Sequence, residues 1–376
     1  MAGVYIHIPF CKQACHYCNF HFSTSVARKT DMVAALLHEL EMRRQYLPAG
    51  EPLGSIYFGG GTPSLLNAAE IEQLIGKTIA LFGLKPDAEI TLEANPDDLS
   101  ENKLWELRQI GVNRLSIGIQ SFFEPDLLFM NRAHNAGEAL NCIELALKTG
   151  FTNLSIDFIY GTPTLTHEQW QRNLSIAFGL NIPHISAYCL TVEPKTALHS
   201  SIKKGKIAPL QDEHAQTQFN LLTQSMEERG YQHYEISNFC LPGHIAVHNS
   251  SYWSGAHYLG IGPSAHSYNG VSRSWNVANN ALYLKAIQQN NLPAETEILT
   301  PQNKYNEYIM TALRTMWGAD LTYLSAEFGE EKTRYLLSQA QRYVQQGKLQ
   351  VVQNRLLLAP DARFTADAII AHLFWG

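Results

Sequence analysis

Charge is scarce in this chain. Only 16% of its 376 residues are charged and 45% are hydrophobic, where soluble proteins average roughly 25% charged. Such a chain can bury a large core, and intrinsic disorder is excluded. Positive charge is not in excess either. The 28 Lys and Arg face 34 Asp and Glu, a net of −6, which argues against general nucleic-acid binding. No apolar run approaches the roughly 20 residues of a membrane span. The first ten residues carry neither a cationic segment nor a signal-like apolar core, so secretion is not expected. Low-complexity tracts and simple repeats are missing too. Cysteines number six, three of them crowded at Cys11, Cys15 and Cys18, the others scattered at Cys142, Cys189 and Cys240. This is not a disulfide framework of a short secreted chain. A cytoplasmic, reducing setting with a metal or cluster site fits the pattern.

The length suggests two or three domains. Short apolar, β-branched runs recur at 4–8, 55–58, 89–93, 114–119, 154–158 and 184–189. Segments of helical period follow them at 31–46, 68–82, 101–110, 137–149, 168–180 and 212–228. Ser100 reads as a helix cap, with Gly111 and Gly150 as helix stops. Six strand–helix units in a row predict a parallel α/β sheet, either doubly wound or a partial barrel. After about residue 230 the rhythm breaks, and 231–280 reads as irregular but ordered. From 300 a different unit begins: helices at 306–315, 322–328 and 332–346, a hairpin over 349–358, and a last helix at 365–373. It reads as a winged-helix-like α+β unit. Its eight Lys and Arg against seven acids favour a structural or docking role over DNA reading. The expected organisation is 1–230, a connector at 231–299, and 300–376.

The strongest motif is Cys11-Lys12-Gln13-Ala14-Cys15-His16-Tyr17-Cys18, directly after the first predicted strand. Three thiolates on one loop suit three corners of an iron–sulfur cubane and leave the fourth iron open. Structural zinc is the alternative, with His16 or His21 as fourth ligand; three unrelated buried thiols is another. Gly59-Gly60-Gly61-Thr62-Pro63 follows the second strand. It lacks the Lys-Ser/Thr ending of a phosphate-binding P-loop, and a tight strand-to-helix turn is its plainer reading. Polar residues also fall at or near the ends of later strands: Glu93, Gln120, Asp157, Tyr188 and Thr191. In α/β folds that edge binds ligands. Arg132, after the fourth strand, could pair with Glu93 or Asp157.

The C-x3-C-x2-C loop resembles the signature of radical S-adenosylmethionine (SAM) enzymes, and the triple glycine resembles their SAM-binding motif. The resemblance implies a partial (β/α)6 TIM-like barrel with the winged-helix-like C-terminal unit. It also implies a [4Fe–4S] cluster on Cys11, Cys15 and Cys18. In that superfamily the open iron binds the amino and carboxylate groups of SAM, and one electron cleaves the S–C5′ bond. Tyr5-Ile6-His7-Ile8-Pro9-Phe10-Cys11 narrows the resemblance to the oxygen-independent coproporphyrinogen oxidase group. It implies SAM contacts at Tyr5, Tyr17, Gly60, Gly61, Thr62, Glu93, Gln120, Arg132, Asp157 and Thr191.

Two branches of that group differ. The decarboxylating enzymes carry a further cysteine two residues after the third, where this chain has Phe20, and a longer N-terminal extension than the ten residues before Cys11. His248-Asn249-Ser250-Ser251-Tyr252-Trp253 resembles the H-N-x-x-Y-W motif of HemW-type haem chaperones. That resemblance implies haem binding at His248, Asn249, Tyr252 and Trp253. It implies delivery of haem to acceptor proteins, membrane-associated respiratory enzymes among them, with a homodimer as one arrangement. A neutral imidazole suits haem iron, and Cys240 is a nearby alternative. On residues alone, His248 bonding a loop and Trp253 packing in the core is the simpler account. No catalytic residue is assigned.

Overall fold

A computed structural model describes residues 2–376. Twelve strands form one sheet: β1 (Gly3–Ile8), β2 (Leu53–Gly60), β3 (Leu84–Ala94), β4 (Arg114–Gln120), β5 (Leu154–Tyr160), β6 (His184–Cys189), β7 (Gln232–Glu235), β8 (Asn238–Cys240), β9 (Tyr258–Ile261), β10 (His266–Tyr268), β11 (Ser272–Asn276) and β12 (Ala294–Ile298). β1 to β6 are adjacent and parallel. The strand order runs from β12 to β7 without closure among the described residues. The fold is thus the partial (β/α)6 barrel, not a doubly wound sheet.

Alternation along the strands explains the barrel's polar lining. Val4, Ile6, Ile8, Ile56, Phe58, Ile90, Leu92, Leu115 and Ile117 join the apolar core. The residues between them, including Tyr5, Ser55, Tyr57, Glu89, Glu93, Arg114, Ser116, Asp157 and His184, turn the other way, and Tyr57 with Glu93, Ser116 with Asp157 and Ser155 with His184 bond between strands. Local signals set the helix starts. Asn67 with Glu70, Asn135 with Glu138 and Thr166 with Gln169 form capping boxes, and Ser100 accepts from the backbone of Lys103. These satisfy N–H groups that the first turn leaves free. Gly111 and Gly150 end their helices at positive φ.

The expected irregular stretch at 231–280 is a correction. It supplies β7 to β11 and the helix Val247–Trp253. β9 pairs parallel with β1, and β8 antiparallel with β6, so both flanks of the six-stranded arc are covered by later sequence. Strands of three to five residues are too short to display a period.

The C-terminal unit has its own core around Tyr305, Ile309, Leu324, Leu336 and Leu356. Helices Pro301–Leu313, Leu321–Phe328 and Glu330–Gln345 pack with a sheet of β13 (Ala319–Asp320), β14 (Leu349–Val352) and β15 (Arg355–Leu358). Gln353 and Asn354 turn the hairpin with φ of 48° and 60°, as a two-residue hairpin turn requires. The expected last helix is shorter, Ala366–Ala371, preceded by a 3-10 turn at Pro360–Thr365.

Candidate functional site

The cysteine loop leaves β1 at the mouth of the barrel and is tied down on several sides. The Gln13 amide donates to the carbonyl and side-chain oxygens of Asn131, and Asn131 donates back to the Ala14 carbonyl. Asn131 itself has φ of 56°, a conformation asparagine tolerates. The His16 amide donates to the Met130 carbonyl. Lys12 pairs with Asp97 and Asp98. All three thiols are free and half-buried; burial pushes Cys11 up to about 11 and raises Cys18. His16 and His21 each bond through one ring nitrogen, His16 Nδ1 to the Phe129 carbonyl and His21 Nε2 to Asn280. Among the described residues no three His, Cys, Asp or Glu side chains converge on one ion position. The donor set therefore lacks the four convergent ligands of structural zinc. Three separate thiols fit a cluster, whose iron atoms each take their own ligand.

The glycine loop lies against this segment. Gly61 and Thr62 donate their amides to the carbonyls of Ile8 and Phe10. A Cβ on Gly61 would lie 2.5 Å from the Phe10 carbonyl oxygen, and one on Gly60 (φ 105°) would lie 2.4 Å from the His7 ring. The glycines are thus demanded first by the packing of β2's end on β1's end. The Gly60 amide donates to Glu93 Oε2 at 3.2 Å, and Tyr57 Oη donates to Glu93 Oε1 at 2.7 Å.

Arg132 pairs with neither Glu93 nor Asp157, a correction to the sequence reading. Its Nη2 donates to Asn95 Oδ1 at 2.7 Å and to the Gly118 carbonyl at 2.8 Å, and Nη1 lies 3.4 Å from Cys15 Sγ and Tyr17 Oη. Asn95 also reaches Thr62 Oγ1. Buried Arg132 Nε has no hydrogen-bond partner. Gln120 closes β4 at a φ of 61° beside a register shift; such strain in a non-glycine residue gathers at functional sites. Asp157 accepts from Ser116. Thr191 bonds Glu193, which also accepts from Asn19 beside the cysteine loop. Burial raises Glu93 to about 7 and Asp157 to about 6, against the pull of hydrogen bonds from Tyr57 and Ser186. The ten SAM-contact candidates thus gather around one mouth. Phe20 stands 68% exposed beside it.

The other four candidates sit elsewhere. Helix Val247–Trp253 covers the opposite end of the barrel. Its first amides, Val247 and His248, donate to the Glu89 carboxylate at 2.9 and 3.0 Å, an anion at a helix N-terminus. His248 is 1% exposed. Its Nδ1 is bonded to Ser55 Oγ and its Nε2 to Tyr252 Oη, both at 2.8 Å. Burial, then Arg114, lowers its pKa to about 3. Trp253 faces the Arg314 guanidinium of the C-terminal unit at 5.7 Å. Asn249 is half-buried on the same helix. In this conformation His248 offers no free nitrogen and Tyr252 no free hydroxyl, because the motif packs inward. Cys240 is fully buried, its thiol pushed up to about 11 by burial, so the alternative thiolate ligand is not presented either.

Comparison with known proteins now bears on these residues. Residues 5–175 match the radical SAM superfamily. Heme chaperone HemW of Mycobacterium tuberculosis is 34% identical over 376 residues, covering 99% of this chain and 94% of that relative. Heme chaperone HemW of Bacillus subtilis is 35% identical over 335 residues, 88% and 87% respectively. The chain belongs to the HemW family of the radical SAM superfamily. HemW of Escherichia coli is 37% identical over 266 residues, 70% of this chain and 69% of that one. The solved structure of coproporphyrinogen III oxidase (HemN) from Escherichia coli superposes with a TM-score of 0.84 over 99% of this chain and 90% of that one; at 24% identity the likeness is one of fold.

Radical SAM proteins use a [4Fe–4S] cluster and SAM, and the mouth of this HemW-family chain fits both: three thiols outside any disulfide and an unpartnered arginine nitrogen share it. Sequence reasoning missed three contributors. Asn95 bridges Arg132 and Thr62. Tyr57 holds Glu93. His7, bonded to Tyr5 Oη at 3.2 Å and to the His21 carbonyl at 2.9 Å, underlies the glycine loop. Their types carry no chemical signature; only strand register brings them in.

Proposed function

We propose that this protein is a haem chaperone that carries a [4Fe–4S] cluster, SAM and haem, and passes haem to acceptor proteins. The observation that carries the reading is the near full-length likeness to HemW proteins. Phe20 at the position of the enzymes' additional cysteine supports it against coproporphyrinogen decarboxylation. Cys11, Cys15 and Cys18 would hold the cluster, which when reduced supplies single electrons. Arg132 and the Gly60–Thr62 segment would serve the amino-acid end of SAM, and Glu93, Asp157, Gln120, Tyr5, Tyr17 and Thr191 the remainder. Haem would be taken at His248, Asn249, Tyr252 and Trp253 once helix Val247–Trp253 is displaced, since both imidazole nitrogens are engaged while it is seated. The reading includes a cytoplasmic location, acceptors among membrane-associated respiratory enzymes, and a homodimer. No helix of the described residues is long and apolar enough to cross a membrane.

The test is anaerobic reconstitution followed by two assays. With SAM, a reductant and coproporphyrinogen III, chromatography should show no sustained vinyl-bearing product. On haem titration a Soret band should develop, and it should transfer to an apo-haemoprotein. Turnover with an intact cluster, or absence of haem binding, would overturn the proposal.

A further inference from the structure

The motif helix meets the mouth through stacked rings, Tyr57 nearest. Tyr57, in the middle of β2, lies with its ring on the His248 imidazole, centroids 4.9 Å apart and planes 24° from parallel. Tyr5 completes the cluster, 6.0 Å from the Tyr57 ring and 6.4 Å from the His248 ring, with planes 24° and 28° from parallel. The Tyr57 hydroxyl then donates to Glu93, whose second oxygen accepts from the Gly60 amide. Gly3 makes the arrangement possible, because a Cβ there would lie 3.2 Å from His248 Nδ1 and 2.8 Å from Ser55 Oγ. His248, clamped by two hydroxyls, is the fixed member of this stack.

We propose that His248 is a positioning residue for the SAM site: its ring props Tyr57, and Tyr57 aims Glu93 and the Gly60 amide. The inference rests on the reading that Glu93 serves SAM. It gives the His-Asn-x-x-Tyr-Trp helix a role before any haem is bound. It also couples the two ligands, because lifting His248 toward haem iron withdraws the support under Tyr57.

Glu93 is faced by Tyr5 from β1, Tyr57 from β2, Arg114 from β4, Asp157 from β5, Tyr188 from β6 and Tyr252 from the motif helix. Of these, Tyr57 bonds its carboxylate directly, which favours the ionised form. Loosening Tyr57 therefore moves the acid limb of SAM binding to higher pH.

The experiment is equilibrium dialysis of SAM against anaerobically reconstituted, haem-free protein across pH 6–8.5. His248→Ala should weaken SAM about tenfold, the scale of a lost hydrogen bond to a charged group, and shift the acid limb upward. His248→Phe, which restores a ring but no ligand atom, should recover most of that loss. Tyr57→Phe should match His248→Ala, and the double variant should add little. If His248→Ala fails to fold, the Tyr57→Phe affinity and pH limb carry the same prediction. Wild-type affinity and pH limb in folded His248→Ala or in Tyr57→Phe would overturn the proposal. Glu93→Gln separates the two ideas. If it also binds SAM normally, the placement of SAM against Glu93 has failed and the relay falls with it. If Glu93→Gln is impaired while His248→Ala is not, the relay alone is wrong.

Discussion

The two ends of the barrel are built on opposite terms. At the floor, polar side chains are matched to one another. His248 sits between the hydroxyls of Ser55 and Tyr252, and His184 between those of Ser155 and Tyr234 at 2.7 Å each. Burial lowers the pKa of both histidines, so both are neutral. Between them runs Arg114, 1% exposed, its Nε 3.8 Å from Glu89 and its guanidinium without a hydrogen bond. At the mouth, thiols are free, an arginine nitrogen is unpartnered and two buried carboxylates resist ionisation. Apart from Arg114, held by charge alone, the floor is a closed network that holds shape. The mouth keeps unsatisfied groups that a ligand can complete. A substitution should therefore reveal its end of the barrel by what it damages.

The largest contrast comes from Cys15→Ala. It removes one corner of the cluster seat and should abolish cluster content and SAM binding together, while the thermal midpoint of the cluster-free protein moves little. Iron and sulfide analysis beside calorimetry decides it; retained iron and sulfide would remove Cys15 as a ligand.

Glu89→Ala is the counterpart at the floor. It strips two helix amides of their acceptor and leaves Arg114 without its carboxylate. Breaking a buried charge pair from one side costs about 3–5 kcal/mol, to be read from urea unfolding. A loss below about 1 kcal/mol would show that the floor is not the tight network described.

The smallest effect is one of pH and sharpens the account of the mouth. The folded-state values of Glu93 (about 7) and Asp157 (about 6) lie above the ordinary 4.5 and 3.8. Between those limits the folded chain retains protons that the unfolded chain has released, so raising pH through this window removes stability. A cationic sulfonium nearby favours the ionised carboxylates. SAM affinity should accordingly rise several-fold from pH 6 to 8 while the stability of the ligand-free protein falls. Parallel trends would mean that these carboxylates do not face the ligand.

Legibility followed the length of the signal. Six barrel strands stood out because each is a short apolar, β-branched run of four to six positions, and capped helices separate them. The cysteine loop stood out because three thiols within eight residues have few uses. The roles of Asn95 and Tyr57 depend on β2, β3 and β4 lying in one particular register, which no local pattern encodes. Arg132 bonds Asn95 and the Gly118 carbonyl instead of Glu93 or Asp157 for the same reason. His248 shows the opposite difficulty: its motif was visible, yet only tertiary packing reveals an inward-facing ring. Gly60→Val would disturb the fold as well as SAM binding, because φ is 105° and the His7 ring fills the space.

The covering of β1 by β9 has a consequence for a chain leaving the ribosome. β1 is the first strand made and carries the cysteine loop at its end, but its second neighbour is Tyr258–Ile261. At roughly 5–20 residues per second, β1 keeps one open edge for about 10–50 s of synthesis. The helix that seals the floor, Val247–Trp253, emerges at nearly the same moment. In order of manufacture the mouth is shaped first, and its foundation is laid beneath it afterwards.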